Sequence, residues 1–209
     1  VKVTASEVNK LRKTTGAGMM DCKKALVEAD GNFDTAIEIL RKKGQKVAAK
    51  RADRESSEGV AIAISNEDHT SGVGIVLACE TDFVGKNADF IDLAHKIAVN
   101  GLKCKSNEDL LKSKLGDMSV EEKLIEQTGV IGEKIQINNF TKIDAAFVGT
   151  YIHAGNKISS LVGFSGKCEN IEVAAKDISM QIAAMNPIAL DEDSVDSEVV
   201  EKEIEIAKE

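Results

Sequence analysis

The sequence predicts an α+β fold in which a small helical bundle precedes a core of two repeated strand–strand–helix units. Apolar residues recur at helical spacing through the first 45 residues, strand-like alternation begins near Glu58, and the same strand–strand–helix order returns near residue 145. The predicted segments are a three-helix docking domain (1–45), a basic linker (46–57), core subdomain 1 (58–144), core subdomain 2 (145–190) and an acidic helical segment (191–209).

Three short helices are predicted in the first segment. Thr4 and Glu7 have the spacing of a capping box, and the glycines of Thr15–Gly18 are expected to end the first helix. Asn32 is of the residue type that caps a helix N-terminus, and Gly44 is expected to end the third helix. A bundle of this size is more typical of a docking unit than of an enzyme.

The loop into the second helix has two features that bear on binding. Met19 and Met20 are adjacent, and neighbouring helical side chains diverge by about 100 degrees, so they cannot both point inward and one of them should point outward. Gly16 and Gly18 suggest a phosphate loop, but no strand precedes them and no lysine follows at P-loop spacing. We therefore expect no direct nucleotide binding there.

Charge is distributed unevenly along the chain. The net charge is -8, yet Val1 to Arg54 holds 13 basic and 7 acidic residues, whereas Asp191 to Glu209 holds 2 basic and 9 acidic residues. Most of the basic excess lies in Arg41 to Arg54. This stretch could contact RNA phosphates, or it could be a solvated helix end and linker that needs no ligand.

The core is predicted to use one structural unit twice, with a further helix and strand between the copies. Alternating apolar residues predict the strands, and helical periodicity after N-cap residues predicts the helices that cover them. The predicted elements are strands 59–64 and 74–79, a helix after Asn87, a helix from Ser119 to Gln127, a strand after 131–137, strands 146–152 and 158–164, and a helix over 171–185.

An acidic residue beside a phenylalanine marks the end of the second strand, in Thr81–Val84. The chain is only 3% aromatic, so a phenylalanine at such a junction stands out. In the second copy of the unit, residues 165–170 connect strand to helix without this pair. Because the fold can be made without them, Asp82 and Phe83 are predicted to contact a partner.

Covalent chemistry and cofactor binding are not indicated. The cysteines lack C-x-x-C spacing, and the histidines lack metal or triad spacing, so we expect no catalytic residues, no metal site and no cofactor. No run of about 18 apolar residues could span a bilayer, and no signal-peptide layout is present, so no membrane partner is expected. The residues considered are Cys22, Cys79, Cys104, Cys168, His69, His95 and His153.

Two motifs carry a resemblance to a known family. Leu11–Leu26, which contains Thr-Thr-Gly-Ala-Gly-Met-Met-Asp-Cys, and Cys79–Val84 downstream resemble elongation factor Ts. The resemblance implies a ubiquitin-associated-like N-terminal bundle and a bacterial, cytoplasmic guanine nucleotide exchange factor. Such a factor binds elongation factor Tu and promotes GDP release by disturbing the Mg²⁺ and phosphate site, with no nucleic acid required.

The resemblance also implies where the partner binds. Asp82 and Phe83 would insert beside the Mg²⁺ and phosphate site, the N-terminal module would dock near the guanine side, and His153 would contact the phosphate-loop side. The implied contacts with elongation factor Tu are Arg12, Met19, Met20, Lys23, Thr81, Asp82, Phe83, Val84, Ile131, Gly132 and His153.

The C-terminal end of the sequence predicts the start of a coiled-coil-like helix. Val200, Ile204 and Ala207 form an apolar stripe with charged flanks. Members of the resembled family continue beyond such a helix into a coiled-coil arm, so we expect a C-terminal part to be lacking and a homodimer to form through the arm.

The alternative function is a helical docking adaptor, ubiquitin-like or ribosome-associated, without exchange activity.

Overall fold

The computed structural model describes residues 3–208 and confirms the α+β fold. Three helices come first along the chain, and antiparallel strands and further helices follow. Among the described residues, no helix has the length and apolar character that a membrane span requires. The elements are α1 (Ala5–Thr15), α2 (Met19–Glu28), α3 (Phe33–Lys50), β1 (Glu58–Ser65), β2 (Ser71–Cys79), α4 (Asp82–Gly85), α5 (Ala88–Gly101), α6 (Asn107–Lys112), β3 (Lys114–Leu115), β4 (Met118–Ser119), α7 (Val120–Ile131), β5 (Gln136–Asp144), β6 (Phe147–Ile152), β7 (Ser159–Phe164), α8 (Ile171–Met185), a 3-10 turn (Glu192–Ser194) and α9 (Ser197–Lys208).

The predicted helix caps of the N-terminal bundle form as local sequence dictates. Thr4 and Glu7 make a reciprocal capping box, and Asn32 accepts a hydrogen bond from the backbone N–H of Thr35. Gly16 ends α1 at φ +70°, a left-handed conformation that favours glycine. The bundle core is small and consists of Val8, Leu11, Ala17, Cys22, Ala25, Leu26, Ala29 and Ala36.

The prediction that Gly44 ends α3 is wrong, since the helix continues to Lys50. Gly44 instead lies where α3 crosses α7, and the Cβ of an alanine at Gly129 would lie 2.4 Å from the Cα of Gly44. Two glycines therefore allow the two helix backbones to approach closely. This packing compensates for the low helix propensity of glycine, which disfavours a helix interior by only about 1 kcal/mol.

The core is built in layers around the antiparallel sheet β1–β2–β5. One face of the sheet is large and apolar, including Ile62, Ile75 and Leu77, and packs against α5, whose N-cap is Asn87 as predicted. The opposite face is small at Gly72, where a Cβ would lie 2.5 Å from the Val148 side chain of β6. The β6–β7 hairpin therefore covers this second face, and α8 packs on the hairpin.

Candidate partner-binding surface

A single turn of helix, α4, presents Phe83 to solvent. Val84 packs against the apolar core, and buried Gly85 lies so near β1 that a Cβ would be 3.3 Å from the carbonyl oxygen of Gly59. Successive helical side chains diverge by about 100 degrees, so turning Val84 and Gly85 inward turns Phe83 outward. Phe83 is 84% exposed. The sequence predicted that a strand ends here before the next helix begins, but it did not predict the helical turn between them.

Glu133 fixes the backbone immediately before this turn. Its carboxylate accepts hydrogen bonds from the backbone N–H of Glu80 at 3.1 Å, the backbone N–H of Thr81 at 3.0 Å and the Thr81 hydroxyl at 2.6 Å. Thr81 is the N-cap residue of α4 and is held in an extended conformation. These three bonds therefore set the direction in which the chain enters the turn that carries Phe83.

Asp82 is paired within its own turn. The Lys86 ammonium donates to a carboxylate oxygen of Asp82 at 2.6 Å, and this hydrogen bond and the charge of Lys86 hold the pKa of Asp82 below its usual value. Asp82 is therefore a carboxylate at neutral pH. Its side chain is 45% exposed, so it remains accessible to a partner beside Phe83.

The turn containing His153 lies against the same end of β1. The backbone N–H of His153 bonds the carbonyl of Ile158 at 2.8 Å to close the β6–β7 turn. Lys157 in this turn donates to the carbonyl oxygen of Gly59 at 3.2 Å. Because Gly59 also contacts Gly85 of α4, the exposed His153 turn and the Phe83 turn flank a single point of the sheet.

The predicted contacts of the N-terminal bundle are all exposed. Met19 is 54% and Met20 is 61% exposed, so both methionines point outward rather than one of them. Arg12 and Lys23 are exposed as well. Val27, one helical turn beyond Lys23, is 50% exposed and extends this apolar and basic face, although no sequence pattern predicted it as a contact.

A broad groove connects several of these segments. Its volume is about 1020 Å³, and it runs from the end of α1 past α7 to α4 and α5. It brings together Phe83 and Val84, the Gly16 loop before Met19, and Ile131 at the end of α7. Gly132 follows as the left-handed C-cap of α7, at φ +82°. His153 does not line this groove.

Two observations within residues 3–208 concern metal ligands and thiols. No group of three or more His, Cys, Asp or Glu side chains there could hold a metal ion. Cys79 is buried, and burial together with the charge of Glu133 raises its pKa to about 11, so its thiol is protonated at neutral pH.

Four charged residues near the site were not predicted. Nη1 of Arg51 donates to both carboxylate oxygens of Glu80, at 2.7 and 2.9 Å, and the backbone N–H of Lys134 donates to Glu80 at 2.7 Å. The pKa of Glu80 is lowered chiefly by the Lys134 N–H and further by Arg51. Glu133, which accepts a hydrogen bond from the backbone N–H of Glu80, is the fourth of these charged residues. Glu80, at the end of β2, is more than 50 positions from Glu133 and Lys134, which lie in the loop after α7. No local sequence pattern indicates that these residues pair.

Comparison with known proteins relates this chain to the proteins named elongation factor Ts. A family model described as "Elongation factor TS" matches residues 80–209. Elongation factor Ts of Christiangramia forsetii is 65% identical over 207 residues, which cover 99% of this chain and 76% of that protein. The Flavobacterium psychrophilum protein of the same name is 60% identical, with 99% and 75% covered, and that of Bacteroides fragilis is 47% identical, with 99% and 62% covered.

Proposed function

The chain belongs to the elongation factor Ts family of translation elongation factors, and on that premise we propose that it is a guanine nucleotide exchange factor for elongation factor Tu. It binds the GDP complex of elongation factor Tu in the bacterial cytoplasm and promotes GDP release. It performs no covalent chemistry. The observation that carries the proposal is the 84% exposed side chain of Phe83, held on a turn whose next residue, Val84, packs against the core.

An exposed phenylalanine on a supported turn suits insertion into a partner. Burial of the Phe83 ring in an interface releases about 25 cal/mol of free energy for each Å² of apolar surface removed from water. The exposed ring of the unbound chain does not have this stabilisation. The turn is fixed before binding by the Glu133 hydrogen bonds, so little conformational entropy is lost when the ring is inserted. Asp82 places a negative charge beside the ring, where it can interact with groups around a bound Mg²⁺.

The exchange mechanism is thermodynamic coupling. GDP and this chain each bind elongation factor Tu, and each weakens the binding of the other by the same factor, because a coupling free energy is reciprocal. Insertion of Phe83 shifts the elements of the GTPase that orient Mg²⁺, and the charge of that ion holds the phosphates of GDP. The faces around Met19, Met20 and His153 supply the binding energy that offsets this distortion.

The test is the release of a fluorescent GDP derivative from elongation factor Tu. We expect the unchanged chain to accelerate release and Phe83→Ala to reduce the acceleration roughly 30-fold or more, which corresponds to about 2 kcal/mol for a lost aromatic anchor. Val173→Ala is the matched control, because Val173 is 62% exposed on α8, outside the proposed contacts. It should leave the acceleration unchanged.

The variants also separate binding from folding. Phe83 is so exposed that its truncation should change the free energy of unfolding by less than about 0.5 kcal/mol, so a loss of exchange cannot come from an unfolded chain. Unchanged acceleration by Phe83→Ala, or none by the unchanged chain, would contradict the proposal. Salt-dependent RNA binding without any effect on GDP release would instead support the docking-adaptor hypothesis.

A further inference from the structure

Arg51, Glu80, Glu133 and Lys134, the four charged residues described above, form one connected group, which we call the polar latch. The group has a further attachment, because the Lys134 ammonium donates to the backbone carbonyl of Ala52 at 2.7 Å and to that of Arg54 at 3.0 Å. The Arg51–Glu80 pair is partly shielded from water, with side chains 32% and 15% exposed. Screening by salt is weaker for such a pair than for one on the open surface.

The polar latch connects the end of the N-terminal bundle with two segments of the proposed contact surface. Residues 51–54 follow directly after α3, the last helix of the N-terminal bundle. Glu80 directly precedes the Thr81–Val84 segment, and Glu133 directly follows Gly132. The connections of the polar latch therefore fix the end of the N-terminal bundle to the residues that flank two segments of the core surface.

The segment between bundle and core is accordingly not a free tether. The sequence predicted a linker over 46–57, but its first residues belong to α3, which packs along α7. The next residues are held by Arg51 and Lys134. Two of the seven cations in Arg41 to Arg54 are paired inside the molecule, since Arg51 pairs with Glu80 and Lys43 pairs with Asp21, and these two need no RNA to account for them.

We propose that the polar latch positions the N-terminal face around Met20 relative to Phe83, so that the two contacts engage elongation factor Tu together as one preformed surface. The inference rests on the function proposed above. Arg51 and Glu80 act here as positioning residues, which need not touch the partner. When two contacts are fixed in the correct geometry, the second forms without a further loss of chain entropy.

The expected effect of breaking the polar latch is on affinity rather than on the exchange step itself. Arg51→Met keeps an unbranched apolar stem and removes the charged guanidinium, while Glu80→Gln keeps the shape of the side chain and removes its charge. Fixing the backbone of even one freed residue again on binding lowers the affinity by about tenfold. We therefore expect the concentration for half-maximal GDP release to rise about tenfold, with the maximal rate unchanged because Phe83 is still present.

Lys50→Met is the matched control. Lys50 is the exposed residue before Arg51 and has no ion pair among the residues that the structure describes. Because Arg51 and Glu80 act through one contact, the double variant Arg51→Met with Glu80→Gln should raise the half-maximal concentration no further than either single change. Lys50→Met should leave it unchanged.

A measurement without the partner tests the geometry directly. Spin labels are attached at Val27→Cys on α2 and Val99→Cys on α5, both exposed positions, after Cys168→Ser removes the exposed native thiol. Double electron–electron resonance should give one narrow distribution of label distances in the otherwise unchanged chain and in Lys50→Met. The distribution should be broader in Arg51→Met and in Glu80→Gln. A distribution that stays narrow in both latch variants would overturn the proposal.

The two arms also distinguish this proposal from the proposed function. If the distribution broadens but the half-maximal concentration does not rise, the polar latch holds the bundle without positioning it for binding, and the proposal is overturned. If the unchanged chain does not accelerate GDP release, it is the exchange function that fails. The label distances then still decide whether Arg51 and Glu80 hold the bundle in place.

Discussion

The crossing of α3 and α7 gives a sharp prediction, because its two glycines are not equivalent. A Cβ at Gly129 would lie 2.4 Å from the Cα of Gly44, whereas a Cβ at Gly44 would lie 3.5 Å from the carbonyl oxygen of Ile125 and 3.7 Å from the Cα of Gly129. Ordinary contacts between carbon atoms are about 3.5–4.0 Å. Gly129→Ala must therefore push the helices apart by about 1 Å, while Gly44→Ala fits.

The magnitude follows from two opposing effects. Replacing a helical glycine by alanine stabilises a helix by up to about 1 kcal/mol, and this gain applies to both variants. Forcing additional volume into a packed contact costs about 1–3 kcal/mol, and this cost applies only to Gly129→Ala. We therefore expect Gly44→Ala to be neutral or stabilising and Gly129→Ala to be less stable than Gly44→Ala by about 1–3 kcal/mol.

Urea unfolding followed by far-ultraviolet circular dichroism measures this difference. The comparison is internal, since both variants carry the same substitution at the same helix crossing. The unchanged chain is expected to unfold between them or together with Gly44→Ala. If the two variants have the same free energy of unfolding within about 0.5 kcal/mol, then the close approach of α3 and α7 does not exist in solution.

Two further predictions concern protonation and thiol reactivity. The pKa of Glu80 is lowered by the Lys134 N–H and by Arg51, so its ionised carboxylate contributes fully to stability above the unfolded pKa of 4.5. This contribution is lost as the pH falls through the lower pKa of the folded chain. Glu80→Gln should therefore flatten the pH dependence of urea unfolding below pH 4.5, and an unchanged slope would contradict this. Exposed Cys168 should react rapidly with Ellman's reagent at neutral pH, whereas Cys79, buried and with a pKa of about 11, and the other two cysteines should react only after denaturation. Rapid reaction of more than one thiol in the folded chain would show that the buried cysteines are accessible.

Local signals explain which elements could be predicted. The capping box of Thr4 and Glu7 and the cap at Asn87 involve residues at most three positions apart, so the sequence alone contains both partners. The predicted end of α3 at Gly44 was wrong because a glycine inside a helix destabilises it only weakly. The packing of Gly44 on α7 is a contact between distant parts of the chain, which the local sequence does not show. The helical turn at α4 was missed for the same reason, since Glu133 supports it from 52 positions away.

The sequence by itself determined the amphipathic elements, their order and the exposed acid–aromatic pair of Asp82 and Phe83. These features depend on residue type and short spacing, which hydrophobic burial and local hydrogen bonding convert into helices and strands. Only the tertiary structure decided which segments meet around Phe83 and which charges hold them. Hydrogen bonds such as those of Glu80 and Glu133 depend on where packing places two distant backbones, and a one-dimensional pattern does not contain that distance.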